Sequence, residues 1–390
     1  MSAAKKKAAK KRRPLGLRPA GPQAGVPLID LPAQVKPLHK AILKDWSAAL
    51  AAGAYINGPH GKAFEGELAA YLGVKHVVGC NSGTDALLLA VRALGIGPGD
   101  EVLVPSFSFF ATAEVVSLAG ATPVFCDIRP DSYLLDLAEV KKKLSRRTKA
   151  VMPVHLFGRV FDVAELKALL KGLKRPDVKV IEDTAQALGA TAKGKRAGAM
   201  GEAAGISFYP TKNLAAAGDA GALATDDDAV AATARRLREH GMPQRYTHTE
   251  IGYNSRLDEL QAIALRHKLP RLDRWNAARR ERAARYAKLL KGLPLGLPTQ
   301  GAGDVWHQYT VRVPGGKREA LRQHLVAAKI GCSVFYPGGM HQQKPYAKGA
   351  PKLPVTEAAG AEVLSLPMFP ELSASQQGAV AKAVRDFYAA

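Results

Sequence analysis

Val180-Ile181-Glu182-Asp183-Thr184-Ala185-Gln186 and Ser207-Phe208-Tyr209-Pro210-Thr211-Lys212-Asn213-Leu214 decide how this chain is read, with Lys212 standing twenty-nine residues beyond Asp183. The first is a short apolar run of buried-strand character that closes on two acids. The second is an apolar run that breaks at Pro210 into a turn carrying one lysine. Further apolar runs of strand length lie at His76–Cys80, Glu101–Val104, Thr122–Cys126, Ala150–Val154 and Ala222–Thr225, and the two opening stretches extend to Val178–Glu182 and Gly205–Phe208. Helical patterns fall between several of them, at Asp85–Leu94, Ala111–Leu118, Leu137–Leu144 and Val163–Leu170. Strands alternating with helices predict an α/β fold with a mostly parallel sheet covered on both faces. Such a sheet binds ligands at the carboxyl ends of its strands, where Asp183 and Lys212 fall.

A long helical region follows, from about Arg256 to Leu290, interrupted at Pro270. Its Arg279, Arg280, Arg282 and Arg285 are expected to form a solvated face. The last hundred residues read as a second unit: a strand at Trp306–Val313, a helix at Arg318–Ala328, a strand at Cys332–Tyr336 and a closing helix at Ala374–Tyr388. The expected organisation is a basic tail over 1–25, a large domain over 26–270 and a smaller C-terminal domain over 271–390.

The net charge of +22 is uneven, since Lys5, Lys6, Lys7, Lys10, Lys11, Arg12, Arg13 and Arg18 stand in the first 25 residues with no acid among them. That segment is too poor in apolar residues to bury a core and is expected to be disordered. A basic protein attracts anions, nucleic acid and phosphorylated ligands included, but no nucleic-acid motif accompanies the charge. No run of eighteen apolar residues predicts a membrane span, and the basic N-terminus lacks the apolar core of a secretory signal. Cys80, Cys126 and Cys332 are odd in number and far apart, which suits a reducing cytoplasm and gives no metal-ligand spacing.

An amine that can condense with an aldehyde, and a carboxylate that can hold a pyridine nitrogen protonated, are the minimal equipment for pyridoxal 5′-phosphate chemistry. Lys212 sits among small and apolar residues, a setting that lowers an amine pKa and makes it nucleophilic. Asp183 is placed to pair with the ring nitrogen, or else to cap a helix. Gln186 is placed to bond the ring's phenolic oxygen or to lie beneath the ring. Asn81-Ser82-Gly83-Thr84-Asp85 stands where a strand gives way to a helix, and a helix N-terminus beside a hydroxyl is a phosphate cradle; Ser207 could reach the same phosphate. Within Pro105-Ser106-Phe107-Ser108-Phe109-Phe110-Ala111-Thr112, an aromatic could lie flat on a pyridine ring, or all three phenylalanines could be core.

Together these segments resemble the DegT/DnrJ/EryC1/StrS family of sugar aminotransferases, a branch of the fold-type I pyridoxal phosphate enzymes. The resemblance runs from about Val26 to the C-terminus. It is carried, in the family's order, by Asn57-Gly58-Pro59 with Phe64-Glu65, Ser82–Leu87, Glu182–Gln186, Phe208–Leu214, Gly218–Ala222, Asn254–Ala262, Tyr336-Pro337 with His341, and Leu364–Pro367. It implies a seven-stranded, mostly parallel sheet flanked by helices, with a smaller α+β C-terminal domain. It implies Lys212 as the covalent anchor and proton shuttle and Asp183 as the partner of the ring nitrogen. Gln186 and Phe109 would contact the ring, and Gly83, Thr84 and Ser207 the phosphate. Asn254 would reach the phosphate in a neighbouring subunit, which makes a homodimer with shared sites the active form. Arg256, Tyr336 and His341 are the candidate substrate contacts, and no metal is implied.

Family members that act as dehydratases carry histidine at the lysine position, so Lys212 argues for transamination. The resemblance implies a cytoplasmic enzyme that moves an amino group from an amino acid, L-glutamate first among them, to a nucleotide-linked keto-sugar. The stretch from His240-Gly241 to Arg256 favours carbon 3 over carbon 4 of a UDP- or TDP-linked sugar. Phe335 and Gly338-Gly339-Met340 depart from the common pattern and leave the sugar open. A cyclitol aminotransferase on the same scaffold is the nearer alternative, and a non-catalytic, cofactor-bound DNA-binding protein the distant one.

Overall fold

The computed structural model describes residues 25–299 and 301–389. The expected tail, apart from Gly25, lies outside the described residues. Seven strands form one sheet: β1 His76–Cys80, β2 Glu101–Pro105, β3 Thr122–Cys126, β4 Thr148–Val151, β5 Lys179–Asp183, β6 Ala203–Ser207 and β7 Gly221–Thr225. Their spatial order is β1-β7-β6-β5-β4-β2-β3. β7 runs antiparallel to both of its neighbours, and the other pairings are parallel. All seven expected strands are present, with ends displaced by three residues at most.

The sheet is buried on both faces. Val102, Val104 and Ile181 pack with the helices Gly83–Ala93, Ala111–Leu118 and Asp228–Leu237, while Leu103, Val151 and Val180 pack with Val163–Gly172. Helix starts are fixed locally: Ser82, Asp162 and Asp227 accept from backbone amides two or three residues on, an interaction that stabilises a helix by about 1 kcal/mol. The helix Gly83–Ala93 lies so close to β6 that a Cβ at Gly205 would come 2.5 Å from Leu87 Cδ2. Only glycine lets that helix descend onto the sheet, which sets where its N-terminus points.

The long helical region is two helices, Glu259–Lys268 and Leu272–Leu289, joined by a single 3-10 turn containing Pro270. Proline lacks the amide that would continue the first helix. Beyond it, β8 Tyr309–Arg312 pairs antiparallel with β9 Val363–Leu366, and these pack with the helices Arg318–Ala327 and Ala374–Ala389 in a separate apolar core. The strand expected at Cys332–Tyr336 does not form: only Ser333 bridges to Ser365, and Phe335 and Tyr336 turn away to line a cavity. The N-terminal helices His39–Ala52 and Pro59–Leu72 and strand β9 were not anticipated.

The arginine face is also corrected. Arg280 and Arg285 are exposed, but Arg279 is 1% exposed and donates from Nη1 to the carbonyls of Trp306, His307 and Met368 at 3.2, 3.3 and 3.1 Å. Burial lowers its pKa to about 10, so it stays charged at neutral pH. Arg279→Ala is expected to cost about 3 kcal/mol, because three buried carbonyls lose their donor, whereas Arg280→Ala should change stability by less than about 0.5 kcal/mol. Urea unfolding of the two variants measures the difference.

Candidate active site

The carboxyl ends of β5 and β6 and the N-terminus of the helix Gly83–Ala93 converge on a cavity of about 500 Å³. Gly83, Thr84, Phe109, Asp183, Gln186, Ser207, Lys212 and Tyr336 all line it. Eight of the eleven residues singled out in the sequence therefore meet in one place.

Asp183 ends β5 and is 4% exposed. Its Oδ2 accepts from Thr112 Oγ1 at 2.8 Å and its Oδ1 from the Ala185 amide at 3.2 Å. No helix follows it, so the capping alternative is set aside. Burial raises its carboxyl pKa; the Thr112 and Ala185 bonds and the charge of Lys212 oppose that rise without cancelling it.

Lys212 is half-buried, in a turn closed by its own amide on Tyr209 O at 2.8 Å. Desolvation lowers its pKa to about 8 against the opposing attraction of Asp183. The next residue pins this turn from behind. Asn213 donates from Nδ2 to Asn276 Oδ1 at 2.9 Å and to Val305 O at 3.1 Å, and its Oδ1 accepts from His307 Nδ1 at 3.2 Å. Burial, with the charges of Lys212 and Arg279, drives the His307 pKa well down, so this imidazole stays neutral.

Ser82 Oγ caps the Asp85 amide at 3.0 Å and Ser82 O takes the Ala86 amide at 3.0 Å. The first amides of the helix, at Gly83 and Thr84, are left at the cavity wall. A Cβ at Gly83 would meet Ser207 Cβ at 2.5 Å, so glycine alone permits the cradle to close around an anion beside the serine. Gln186 is held at both ends, accepting from the Phe157 amide at 2.7 Å and donating to Tyr336 Oη at 3.1 Å. Burial raises the Tyr336 pKa, which keeps its hydroxyl neutral. Phe107 is core, but Phe109 is 57% exposed at the cavity rim, 6.3 Å from the Tyr336 ring centroid.

Three expected residues lie elsewhere. Asn254 is exposed, and Arg256 is paired with Glu239 at 3.0 Å. His341 is 2% exposed, between Ser106 Oγ at 2.6 Å and Glu357 Oε1 at 3.4 Å, where it packs rather than lines the cavity. Conversely, Tyr209, Thr211 and Asp219 line the cavity without having been given a role, Phe335, noted only as a departure from the common pattern, lines it too, and Thr112 was missed as the partner of Asp183. No local signal marked Thr112, because its contact with Asp183 spans seventy-one residues.

A buried carboxylate with lone pairs to spare, an amine of lowered pKa and a glycine-lined helix N-terminus fit the ring nitrogen, aldehyde and phosphate of pyridoxal 5′-phosphate. Fold and site thus define a fold-type I pyridoxal phosphate enzyme. The chain belongs to the DegT/DnrJ/EryC1/StrS aminotransferase family, whose sequence pattern matches residues 37–385. It is 45% identical over 363 residues to a UDP-N-acetyl-3-dehydro-alpha-D-glucosamine 3-aminotransferase of Acidithiobacillus ferrooxidans, covering 92% of this chain and 97% of that one. It is 44% identical over 368 residues to a dTDP-3-amino-3,4,6-trideoxy-alpha-D-glucose transaminase of Streptomyces venezuelae, covering 93% and 96%. Among solved structures, NtdA of Bacillus subtilis with the cofactor PMP bound superposes with a TM-score of 0.88 at 30% identity, over 94% of this chain and 86% of that one. The cofactor is pyridoxal 5′-phosphate.

An amine must be neutral to attack an aldehyde. With the Lys212 pKa lowered to about 8, the ammonium form dominates below that pH and the free amine above it. The rate at which apoenzyme takes up pyridoxal phosphate should therefore rise with pH and level off just above 8. Stopped-flow absorbance measures this; a rate still rising through pH 10 would show an unperturbed lysine.

Proposed function

We propose that this protein moves an amino group from an amino acid, L-glutamate as donor, to a keto group at carbon 3 of a UDP- or TDP-linked sugar, in two alternating half-reactions. The observation that carries the reading is the convergence of Lys212 and Asp183 on one cavity. The relatives named above as acting on 3-keto or 3-amino nucleotide sugars support the choice of acceptor. When bound, pyridoxal phosphate supplies an aldehyde for the amine and a ring that accepts the electron pair left when a carbon loses its proton.

The chain's own residues do the rest. Lys212 would hold the aldehyde through its Nζ and, as a free amine, would carry a proton between two carbons. Asp183 keeps the ring nitrogen protonated. Gly83, Thr84 and Ser207 bind the phosphate. Phe109 and Gln186 hold the ring, and Tyr336 meets the acceptor.

The same reading divides the chain into a cofactor-binding domain, 26–270, and a smaller domain, 271–390, with Val26 bridged to Ile330 across the two. It also makes the active form a cytoplasmic homodimer. Asn254, exposed and outside its own cavity, would serve the neighbouring subunit's phosphate; a monomeric mass in solution for fully active protein would remove this part of the reading. Among the described residues, no helix is long and apolar enough to cross a membrane.

The test incubates holoenzyme and glutamate with a panel of UDP- and TDP-linked 3-keto and 4-keto sugars and with a keto-inositol. Mass spectrometry should find ketone converted to amine on a 3-keto nucleotide sugar, and none with Lys212→Ala. Conversion of the keto-inositol alone would replace the proposed acceptor with a cyclitol.

A further inference from the structure

Asp183 is held by a chain of hydroxyls that the reaction as described above does not use. Thr112 Oγ1 lies 2.8 Å from Asp183 Oδ2, and Ser108 Oγ lies 3.0 Å from Thr112 Oγ1. All three side chains are buried, at 4% exposure for Ser108, 0% for Thr112 and 4% for Asp183. An ionised carboxylate can only accept, so the single hydroxyl proton of Thr112 goes to Asp183. The Thr112 oxygen is then free to accept, and the proton between the two hydroxyls comes from Ser108. The chain therefore has a direction: Ser108 donates to Thr112, and Thr112 donates to Asp183. Hydrogen bonds to an ionised acceptor are the strong ones, and aligned donors reinforce each other. The Ala185 amide occupies the other carboxylate oxygen at 3.2 Å, so the side chain is fixed from two sides.

Thr112 does a second thing. Its amide donates to Phe109 O at 3.2 Å, closing the turn that carries the aromatic ring at the cavity rim. One residue thus links the anion at the base of the cavity to the ring at its mouth.

We propose that Thr112, backed by Ser108, is a positioning residue that holds Asp183 ionised with its open lone pairs toward the cavity, and thereby keeps the cofactor's ring nitrogen protonated. This rests on the reading of Asp183 as partner of that nitrogen. Valine at position 112 keeps the shape and removes the donor. The buried carboxylate then loses one of its two donors, becomes the stronger base and draws the shared proton away from the ring nitrogen.

The experiment binds pyridoxal phosphate labelled with ¹⁵N in the ring to wild type, Thr112→Val, Thr112→Ser, Ser108→Ala and Asp183→Asn, and follows the ring nitrogen shift with pH. Circular dichroism checks that each variant is folded. Thr112→Val should move the ring nitrogen shift at neutral pH toward its unprotonated value, as the share of the proton on nitrogen against Asp183 falls about tenfold. Its glutamate half-reaction should slow about tenfold with the glutamate KM changed by less than about twofold. Thr112→Ser should restore both. A role in packing alone predicts an unchanged ring nitrogen shift in Thr112→Val, and that result overturns the proposal. Should the valine variant not fold, Ser108→Ala must move the ring nitrogen shift in the same direction, and no change there overturns the proposal equally. Asp183→Asn separates the two levels of the argument: it should abolish ring protonation, and a ring that stays protonated without Asp183 defeats the underlying assignment rather than the Thr112 chain alone.

Discussion

A half-buried, desolvated amine and a buried carboxylate facing one cavity constrain everything around them. Desolvation disfavours both charges: it lowers the Lys212 pKa and raises that of Asp183, while each partly steadies the other. Neither group would be kept in such a place for stability, because removing two charges from water costs several kcal/mol that their attraction recovers only in part. The fold tolerates the arrangement by giving Asp183 two fixed donors and by closing the Lys212 turn on its own backbone. The result is an amine whose pKa is brought down to about 8, in one cavity with a buried carboxylate.

The surrounding structure works to hold those two side chains still. On β5, the neighbour Glu182 points away from the cavity, where it accepts from the amides of Gly198, Met200 and Gly201 at 2.9, 2.7 and 2.7 Å and pairs with His155 Nε2 at 2.9 Å. Burial alone would raise its pKa, but these partners reverse the shift and keep it ionised. The Phe161 amide, bound to His155 Nδ1 at 2.9 Å, places the imidazole proton on Nε2, facing the carboxylate. Behind Lys212, Asn213 is locked to Asn276, Val305 and His307, so the turn is braced by the helix Leu272–Leu289 and by the segment leading into β8. The C-terminal part of the chain thereby braces a lysine in the turn that follows β6.

Much of this was legible before any coordinates. The seven strands announced themselves because a strand buried on both faces reads as a nearly continuous apolar run, and the turn at Gly83 because it stands between a strand and a helix. What escaped was set by three-dimensional context. Arg279 looks like its exposed neighbours until the carbonyls of Trp306, His307 and Met368 arrive from far along the chain. The Cys332–Tyr336 run has strand composition, but its last two residues are taken up by the cavity wall. His341 belongs to a recognisable motif, yet its ring is held by Ser106 and Glu357. The role of Thr112 depends on a contact across seventy-one residues that no local pattern encodes.

Burial and a lowered pKa do not by themselves identify the reactive lysine. Lys268 is 3% exposed and its pKa is also lowered to about 8, but it donates to Ala215 O at 2.6 Å and lines a different, largely apolar cavity of about 300 Å³. Of the two, Lys212 shares its cavity with the Asp183 carboxylate and with the helix N-terminus at Gly83 and Thr84. Borohydride reduction of the holoenzyme followed by peptide mass mapping separates the two amines directly. The account predicts a single pyridoxyl phosphate adduct on Lys212; an adduct on Lys268 or on no lysine at all would contradict it.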